Sequence, residues 1–199
     1  MGVSSSNIIA SRKKGRVFVI SAPSGCGKTT LTNSISSSLG IVRSISFTTR
    51  PARPGEVDGK DYYFVSKEDF KKLIRKKGML EWACVFGNYY GTPGGFVERQ
   101  IKKGKDVLLV IDVQGAMQIK KSGYDAALIF LLPPSLSALR ERLGKRNQDS
   151  KGDIINRMKK SKDEMSYVRK YDYVVVNDKM DKALCQIESI ITAERCRVR

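Results

Sequence analysis

The stretch "VISAPSGCGKTTL", residues 19–31, decides the fold. A β-branched run, "RVFVISA" (16–22), leads into it. Behind it, "TTLTNSISSSLG" (29–40) carries Leu31, Ile35 and Leu39 at helical spacing, with Gly40 where a helix C-cap glycine belongs. A strand, a glycine-rich turn and a helix in that order let backbone N–H groups converge on phosphate oxygens at a helix N-terminus. The pattern G-x-x-x-x-G-K-[ST] is met at Gly27, Lys28 and Thr29, with Ala22 in place of the first glycine. That glycine serves the turn out of the strand, and alanine serves there wherever φ is negative. Gly25 and Gly27 supply backbone freedom, Lys28 the charge for the outer phosphates, and Thr29 a hydroxyl for Mg²⁺. The loop of Ala22, Pro23, Ser24, Gly25, Cys26, Gly27, Lys28, Thr29 and Thr30 is therefore expected to hold a nucleoside triphosphate. The motif does not separate a kinase from an ATPase or a GTPase.

Outward from the loop, "DVLLVIDV" (106–113), "ALIFLLP" (127–133) and "YVVVND" (173–178) read as buried strands. Helical patterns cover 94–103, 135–146, 153–170 and 181–196. Near-continuous apolar strands alternating with helices predict an α/β fold, a parallel sheet covered on both faces. Residues 41–92 break the rhythm: "IVRSISFTT", "DYYFVS" and "MLEWACVFGNYYGT" predict an antiparallel insertion with one helix starting near Ser66. There "SKED" resembles a capping box with Asp69 in the place of Glu or Gln. "GKRNQDSKGD" (144–153) reads as a mobile loop between two helices.

The chain of 199 residues suits one domain with small insertions. It holds 37 Lys and Arg against 20 Asp and Glu, a net charge of +17, which calls for anionic partners. The basic residues fall in scattered clusters that read as solvated faces, and no module that reads a nucleic-acid groove is present. With no histidine, Ser-His-Asp and Cys-His nucleophile chemistry is excluded, and zinc sites of the usual Cys/His kinds are too. The cysteines, Cys26, Cys84, Cys185 and Cys196, form no C-x-x-C pair and suit reduced thiols in a cytoplasmic protein. No apolar run approaches a membrane span. The start, "MGVSSS", matches a myristoylation pattern through Gly2 and Ser6, but residues 1–14 read as a disordered Ser-rich tail.

Behind the loop, "SFTTRPARPGEVDGKDYYFVS" (46–66), "EWACVFGNYYGTP" (81–93), "IDVQGA" (111–116) and "VVVND" (174–178) resemble guanylate kinases over residues 15–194. The resemblance implies a P-loop NTPase core, a mixed or antiparallel GMP-binding insertion at about 43–95, a lid at about 142–157 and a short tail at 195–199. It implies transfer of the γ-phosphoryl of ATP to GMP, with Mg²⁺, in purine metabolism. Small-molecule substrates, dGMP a further candidate, are expected rather than nucleic acid or membrane, with a monomer or small homo-oligomer. Carried over by position, Arg50, Arg53, Tyr62 and Tyr90 hold the GMP phosphate. Guanidinium forks bind phosphate oxygens bidentately, and tyrosine hydroxyls donate without adding charge. Glu56 orients the arginines. Glu81 reads guanine, because a carboxylate can accept from both N1–H and the 2-amino group. Ser46 and Thr92 donate to O6. Asp112 positions Mg²⁺ or its waters, with a strand-end cap as its bland alternative. Arg142, Arg146 and Arg157 are lid arginines that act on the transferring group beside Lys28, and Asn177 touches the ATP base or ribose.

Two rivals remain at this point. One is a guanylate-kinase-like protein-interaction domain that has lost catalysis, against which the intact Gly27-Lys28-Thr29 speaks. The other is a nucleic-acid-associated NTPase, motivated by the positive charge alone.

Overall fold

The computed structural model describes residues 14–144 and 151–198. The expected tail at 1–14 lies, all but its last residue, outside them, as do Arg146 and most of the 144–153 loop. The chain divides into two compact units, one of Ile41–Val107 with the residues up to Val17, the other of Phe18–Gly40 with Leu108 onward.

The five-stranded sheet has the order β2-β7-β1-β8-β9, with β1 Val17–Ser21, β2 Val42–Arg43, β7 Val107–Val110, β8 Ala126–Leu132 and β9 Tyr173–Val176. Val107 donates to Arg16 O and Ile111 to Ile20 O; the constant offset marks a parallel pair. β8 and β9 are also parallel, Phe130 opposite Val174. All five positions of β1 are buried, as a strand with both faces covered requires. Phe18, Ile20, Leu108, Leu109, Ile129 and Leu131 are completely enclosed. Each such side chain contributes roughly 1.5–3 kcal/mol through its burial.

Helices α1 (Lys28–Leu39) and α7 (Met180–Arg195) belong to this second unit. α1 buries Leu31 and Ile35, and α7 buries Ala183, Ile187 and Ile191, each four residues after the last. The two helices are tied by Ser38 to Glu188 and by Arg195 Nη2 donating to Leu39 O at 3.0 Å. The sequence pattern passed over one helix, α4 (Val113–Lys121). Its start signal is Asp112, whose side chain accepts from Gly115 N, and its last turn carries Lys120 and Lys121, as the helix dipole favours. The stretch expected as one helix over 153–170 is α6 (Lys151–Met165) followed by a 3₁₀ turn at Val168–Lys170. Ser166 ends α6 by donating its hydroxyl to Asp163 O at 2.6 Å.

In the first unit, a four-stranded sheet has the order β4-β3-β6-β5, with β3 Phe47–Thr48, β4 Tyr63–Phe64, β5 Met79–Val85 and β6 Asn88–Pro93. The expected antiparallel insertion is a mixed sheet, because β3 and β4 run parallel and are joined by a long excursion instead of a hairpin. The run "IVRSISFTT" also splits: β2 joins the five-stranded sheet and β3 the four-stranded one. β5 and β6 form a hairpin whose turn residues Phe86 and Gly87 have φ of 50° and 76°, the signs that the mirror-image turns of twisted hairpins need. Helix α2 (Lys67–Arg75) starts at Ser66, whose hydroxyl oxygen accepts from Asp69 N at 3.0 Å. The hydroxyl in turn donates to Asp69 Oδ2 at 2.7 Å, so the shortened capping box closes on itself. Helix α3 (Gly94–Lys102) follows the hairpin, and α5 (Leu136–Gly144) follows β8.

Candidate nucleotide-binding sites

In the second unit the chain leaves β1 at Ser21 and enters α1 at Lys28. Only Lys77 and Phe86 among the described non-glycine residues have positive φ, so Ala22 holds the negative φ that makes alanine acceptable there. Gly27 is the N-cap of α1 at φ 77°, offers no side-chain cap, and no acidic residue occupies the first turn. The first N–H groups of a helix have no intrahelical acceptor. Here neither a cap nor a carboxylate competes for them, which leaves the helix start open to an anion. A methyl group on Gly25 would meet Leu143 Cδ2 at 3.0 Å and Leu139 Cδ1 at 3.2 Å, so α5 is packed directly on the loop. Lys28 Nζ donates to Ala22 O at 3.2 Å. Burial pushes its pKa down, and the charges of Glu164 and then Asp112 act against that shift. Burial likewise pushes the Cys26 thiol up to about 11, against the pull of Lys28 and Arg142.

Arg157 Nη1 donates to Ser24 Oγ at 3.3 Å, and Arg142 Nη2 donates to Asn177 O at 3.1 Å. Two of the three arginines expected in a lid thus stand at the loop and its bracing residue, and Arg146 lies outside the described residues. Asn177, expected at the ATP base or ribose, makes a contact within the protein. It is buried, and its Nδ2 donates to Cys26 O at 2.7 Å. The amide therefore braces the loop through one of its donors. Asp112 also does what its bland alternative required: Oδ1 accepts from Gly115 N at 3.0 Å and Oδ2 from Gln114 Nε2 at 3.2 Å. Each oxygen retains a lone pair.

In the first unit, Arg50 Nη2 makes a forked contact with Glu56, 2.8 Å to Oε1 and 2.9 Å to Oε2. The backbone N–H of Arg53 adds 2.7 Å to the same Oε2. Burial works to raise the Glu56 pKa, but these donors outweigh it and hold the carboxyl below its ordinary value. Burial works against the Arg50 charge too, and hydrogen bonds to Glu56 and Tyr90 overcome it. The Arg50 guanidinium lies 5.6 Å from the Tyr62 ring centroid, and Tyr62 lies 6.0 Å from Tyr90. Arg50, Glu56, Tyr62 and Tyr90 are one cluster, and the Arg53 side chain is exposed beside it.

The β5–β6 register places Glu81 opposite Thr92 and Ala83 opposite Tyr90, after a bulge between Met79 and Glu81. Cross-strand partners and alternate residues share a face. Glu81, Thr92 and Tyr90 therefore lie on one side of the sheet. Glu81 is buried, only 4% exposed. Thr92 donates its hydroxyl to Glu81 Oε1 at 2.6 Å. Ser46 is half-buried, and its carbonyl accepts from Tyr63 N at 2.9 Å.

Sequence reasoning missed Glu164, which is 8% exposed on α6 and whose charge is the first to act on Lys28 after burial. It sits in the charged run "RMKKSKDEM", where nothing distinguishes it from a solvent-facing acid.

An open helix start behind a glycine turn, with a lysine, a hydroxyl and a strand-end acid on a parallel sheet, defines a P-loop nucleotide-binding protein. The guanylate kinase family model matches residues 14–194. A guanylate kinase of Caldanaerobacter subterraneus subsp. tengcongensis is 48% identical over 188 residues, 94% of this chain and 91% of the relative. One of Thermus thermophilus is 48% identical over 184 residues, covering 92% and 84%. The crystal structure of guanylate kinase from Anaplasma phagocytophilum superposes with a TM-score of 0.80 at 38% identity, covering 94% of this chain and 89% of that one. The chain belongs to the guanylate kinase family. No helix among the described residues is long and apolar enough to cross a membrane.

Proposed function

We propose that the chain transfers the γ-phosphoryl group of ATP to GMP, giving ADP and GDP, with ATP on the loop before α1 and GMP on one face of the four-stranded sheet. The observation that carries this reading is the shared face of Glu81, Thr92 and Tyr90, with Arg50 and Glu56 gathered at Tyr90. A cationic fork with phenolic donors suits a monophosphate dianion. A buried carboxylate, aimed by Thr92, suits the N1–H and 2-amino edge of guanine. Adenine has no proton on N1 and no 2-amino group, and would leave that acid unpaired.

The GMP phosphate is already ionised, so no general base is required. The obstacles are repulsion between polyanions and competition from water. Lys28 and the first-turn N–H groups of α1 hold the outer phosphates of ATP. Arg142, Arg146 and Arg157 supply charge to the transferring group and exclude solvent. Asn177 keeps the loop in shape through Cys26 O. Mg²⁺ fits the donors present: Thr29 would hold it directly and Asp112 through its remaining lone pairs, and when bound it would draw charge from the β- and γ-phosphates.

The division into an insertion at about 43–95 and a lid at about 142–157 is part of the proposal, as are a cytoplasmic setting, small-molecule substrates alone, and a monomer or small homo-oligomer. The four free thiols fit a reducing compartment. Phosphorus NMR of the full chain with ATP, Mg²⁺ and GMP tests the reaction. GDP and ADP signals growing in equal amounts support it. ATP hydrolysis without GDP, or no turnover with saturable GMP binding absent, contradicts it.

A further inference from the structure

Helix α6 carries an acid to which the mechanism above gives no task. Glu164 follows Arg157 by seven residues, two helical turns, so the two share a face. Arg157 reaches Ser24 in the phosphate loop at 3.3 Å, and Ser161 between them is fully buried. That face is therefore turned to the loop. Glu164 is 8% exposed, and its Oε2 is buried with no hydrogen-bond partner among the described residues. Its other oxygen lies 3.9 Å from Lys160 Nζ, too far for a hydrogen bond. A buried carboxylate oxygen without a donor is uncommon and costs on the order of 1–3 kcal/mol. A fold tolerates it where a bound group completes the contact.

The neighbours narrow what that group is. The charges of Lys28 and Asp112 both act on Glu164, so it stands among the groups that face the outer phosphates. Lys28 directs its Nζ to Ala22 O. Asp112 gives one lone pair of each oxygen to the start of α4. No cluster of three or more Asp, Glu, Cys or His among the described residues can hold a metal directly. That is the arrangement for a hydrated Mg²⁺, which keeps several waters and takes one or two carboxylates together with substrate phosphates. With Asp112 half committed to its helix, a second acid beside it can share in holding the waters.

We propose that Glu164 is a positioning residue for the divalent cation of the nucleotide, its Oε2 accepting a hydrogen bond from a cation-bound water and sharing that water shell with Asp112. The inference rests on the reading of the loop as the ATP site. It also gives α6 a double task, since the helix that delivers Arg157 then senses the loaded cation through Glu164.

The test uses the full chain, a non-hydrolysable ATP analogue, and Mn²⁺ in place of Mg²⁺, with free Mn²⁺ read by electron paramagnetic resonance. Glu164→Gln should weaken Mn²⁺ binding to the analogue-loaded protein by about 10–100-fold, the usual effect of losing an outer-shell partner. Analogue binding in EDTA should be unchanged, and Glu164→Asp should fall between. Equal weakening with and without metal would overturn the proposal, because Glu164 would then act through Lys28 or the fold. Unchanged Mn²⁺ binding would overturn it too. On the unmutated chain, Mn²⁺ should broaden the Glu164 side-chain carboxyl ¹³C signal along with that of Asp112, and a sharp Glu164 signal contradicts the placement. If the unmutated chain binds neither analogue nor Mn²⁺, the reading of the ATP site itself fails. If it binds both and the Gln variant behaves identically, only this inference does.

Discussion

Thr92 donates its hydroxyl proton to Glu81 Oε1 over 2.6 Å, inside a sheet where the two side chains are 0% and 4% exposed. The pair follows from the β5–β6 register. It fixes which way the carboxylate points, and direction is what a base-reading acid needs. Thr92→Val keeps the volume and removes the proton. Hydrogen bonds to charged groups contribute about 1.5–3 kcal/mol, so KM for GMP should rise by roughly 10–100-fold, while Thr92→Ser stays near the unmutated value. Steady-state kinetics with GMP varied decides it, and a Val variant with normal KM would show that Thr92 is only packing.

Glu81→Gln keeps the shape and can no longer accept two donors as an anion. The preference for GMP over AMP, set by unpaired polar groups in the wrong complex, should fall from about 10⁴-fold by at least tenfold. The ratio of kcat/KM for the two nucleotides measures this. An undiminished ratio assigns guanine recognition elsewhere.

The forked contact of Arg50 with Glu56 carries a pH prediction. Glu56 is held below its ordinary value of 4.5. A carboxyl depressed in the folded state contributes stability above the unfolded pKa and loses it as pH falls through the folded one. Thermal melts of the unmutated chain and Glu56→Gln should therefore differ at pH 7 and converge as the pH drops below the carboxylate range. Parallel melting curves at every pH would remove the charge from the account. Arg50→Ala should raise KM for GMP by on the order of 10²-fold and leave KM for ATP nearly unchanged.

Asn177 braces the loop from a position 151 residues along the chain from Cys26. Asn177→Ala leaves a buried carbonyl without its donor, at about 1–3 kcal/mol. A loss of several degrees in Tm is expected, at ~2–4 °C per kcal/mol for a chain of this size, together with a raised KM for ATP. The ATP-to-GTP preference should not move. If that preference changes, Asn177 does touch the base.

The Cys26 thiol, pushed up to about 11 by burial, is about a thousandth ionised at pH 8. Cys84, Cys185 and Cys196 are exposed. Mass spectrometry after brief alkylation should find those three modified and Cys26 spared. Rapid modification of Cys26 would mean that the loop opens freely.

The phosphate loop was legible because its chemistry leaves few alternatives: small residues, a lysine and a hydroxyl must stand at set spacings between a strand and a helix. The apolar strands β1, β7 and β8 were legible because burial on both faces writes a continuous hydrophobic run; β9, expected as buried too, is the edge strand and leaves Val174 and Val176 each 46% exposed. Helix α4 was not, since Gly115 interrupts its first turn and the stretch is short; Asp112 as its cap was the available signal. The parallel pairing of β3 with β4 escaped because two-residue strands carry no periodicity. The resemblance supplied Asn177, Thr92 and Asp112 as residues but not their hydrogen bonds, which depend on register and on contacts distant in sequence. Glu164 escaped because an acid's burial is not written in its neighbours.

The most direct measurement is ADP release, followed by a coupled assay, from the unmutated chain with ATP and a panel of GMP, dGMP, AMP, CMP and UMP. ADP should form at a rate that saturates with GMP, with kcat/KM for AMP lower by about 10⁴-fold. ADP release that ignores the monophosphate, or that proceeds as well with AMP as with GMP, would contradict it.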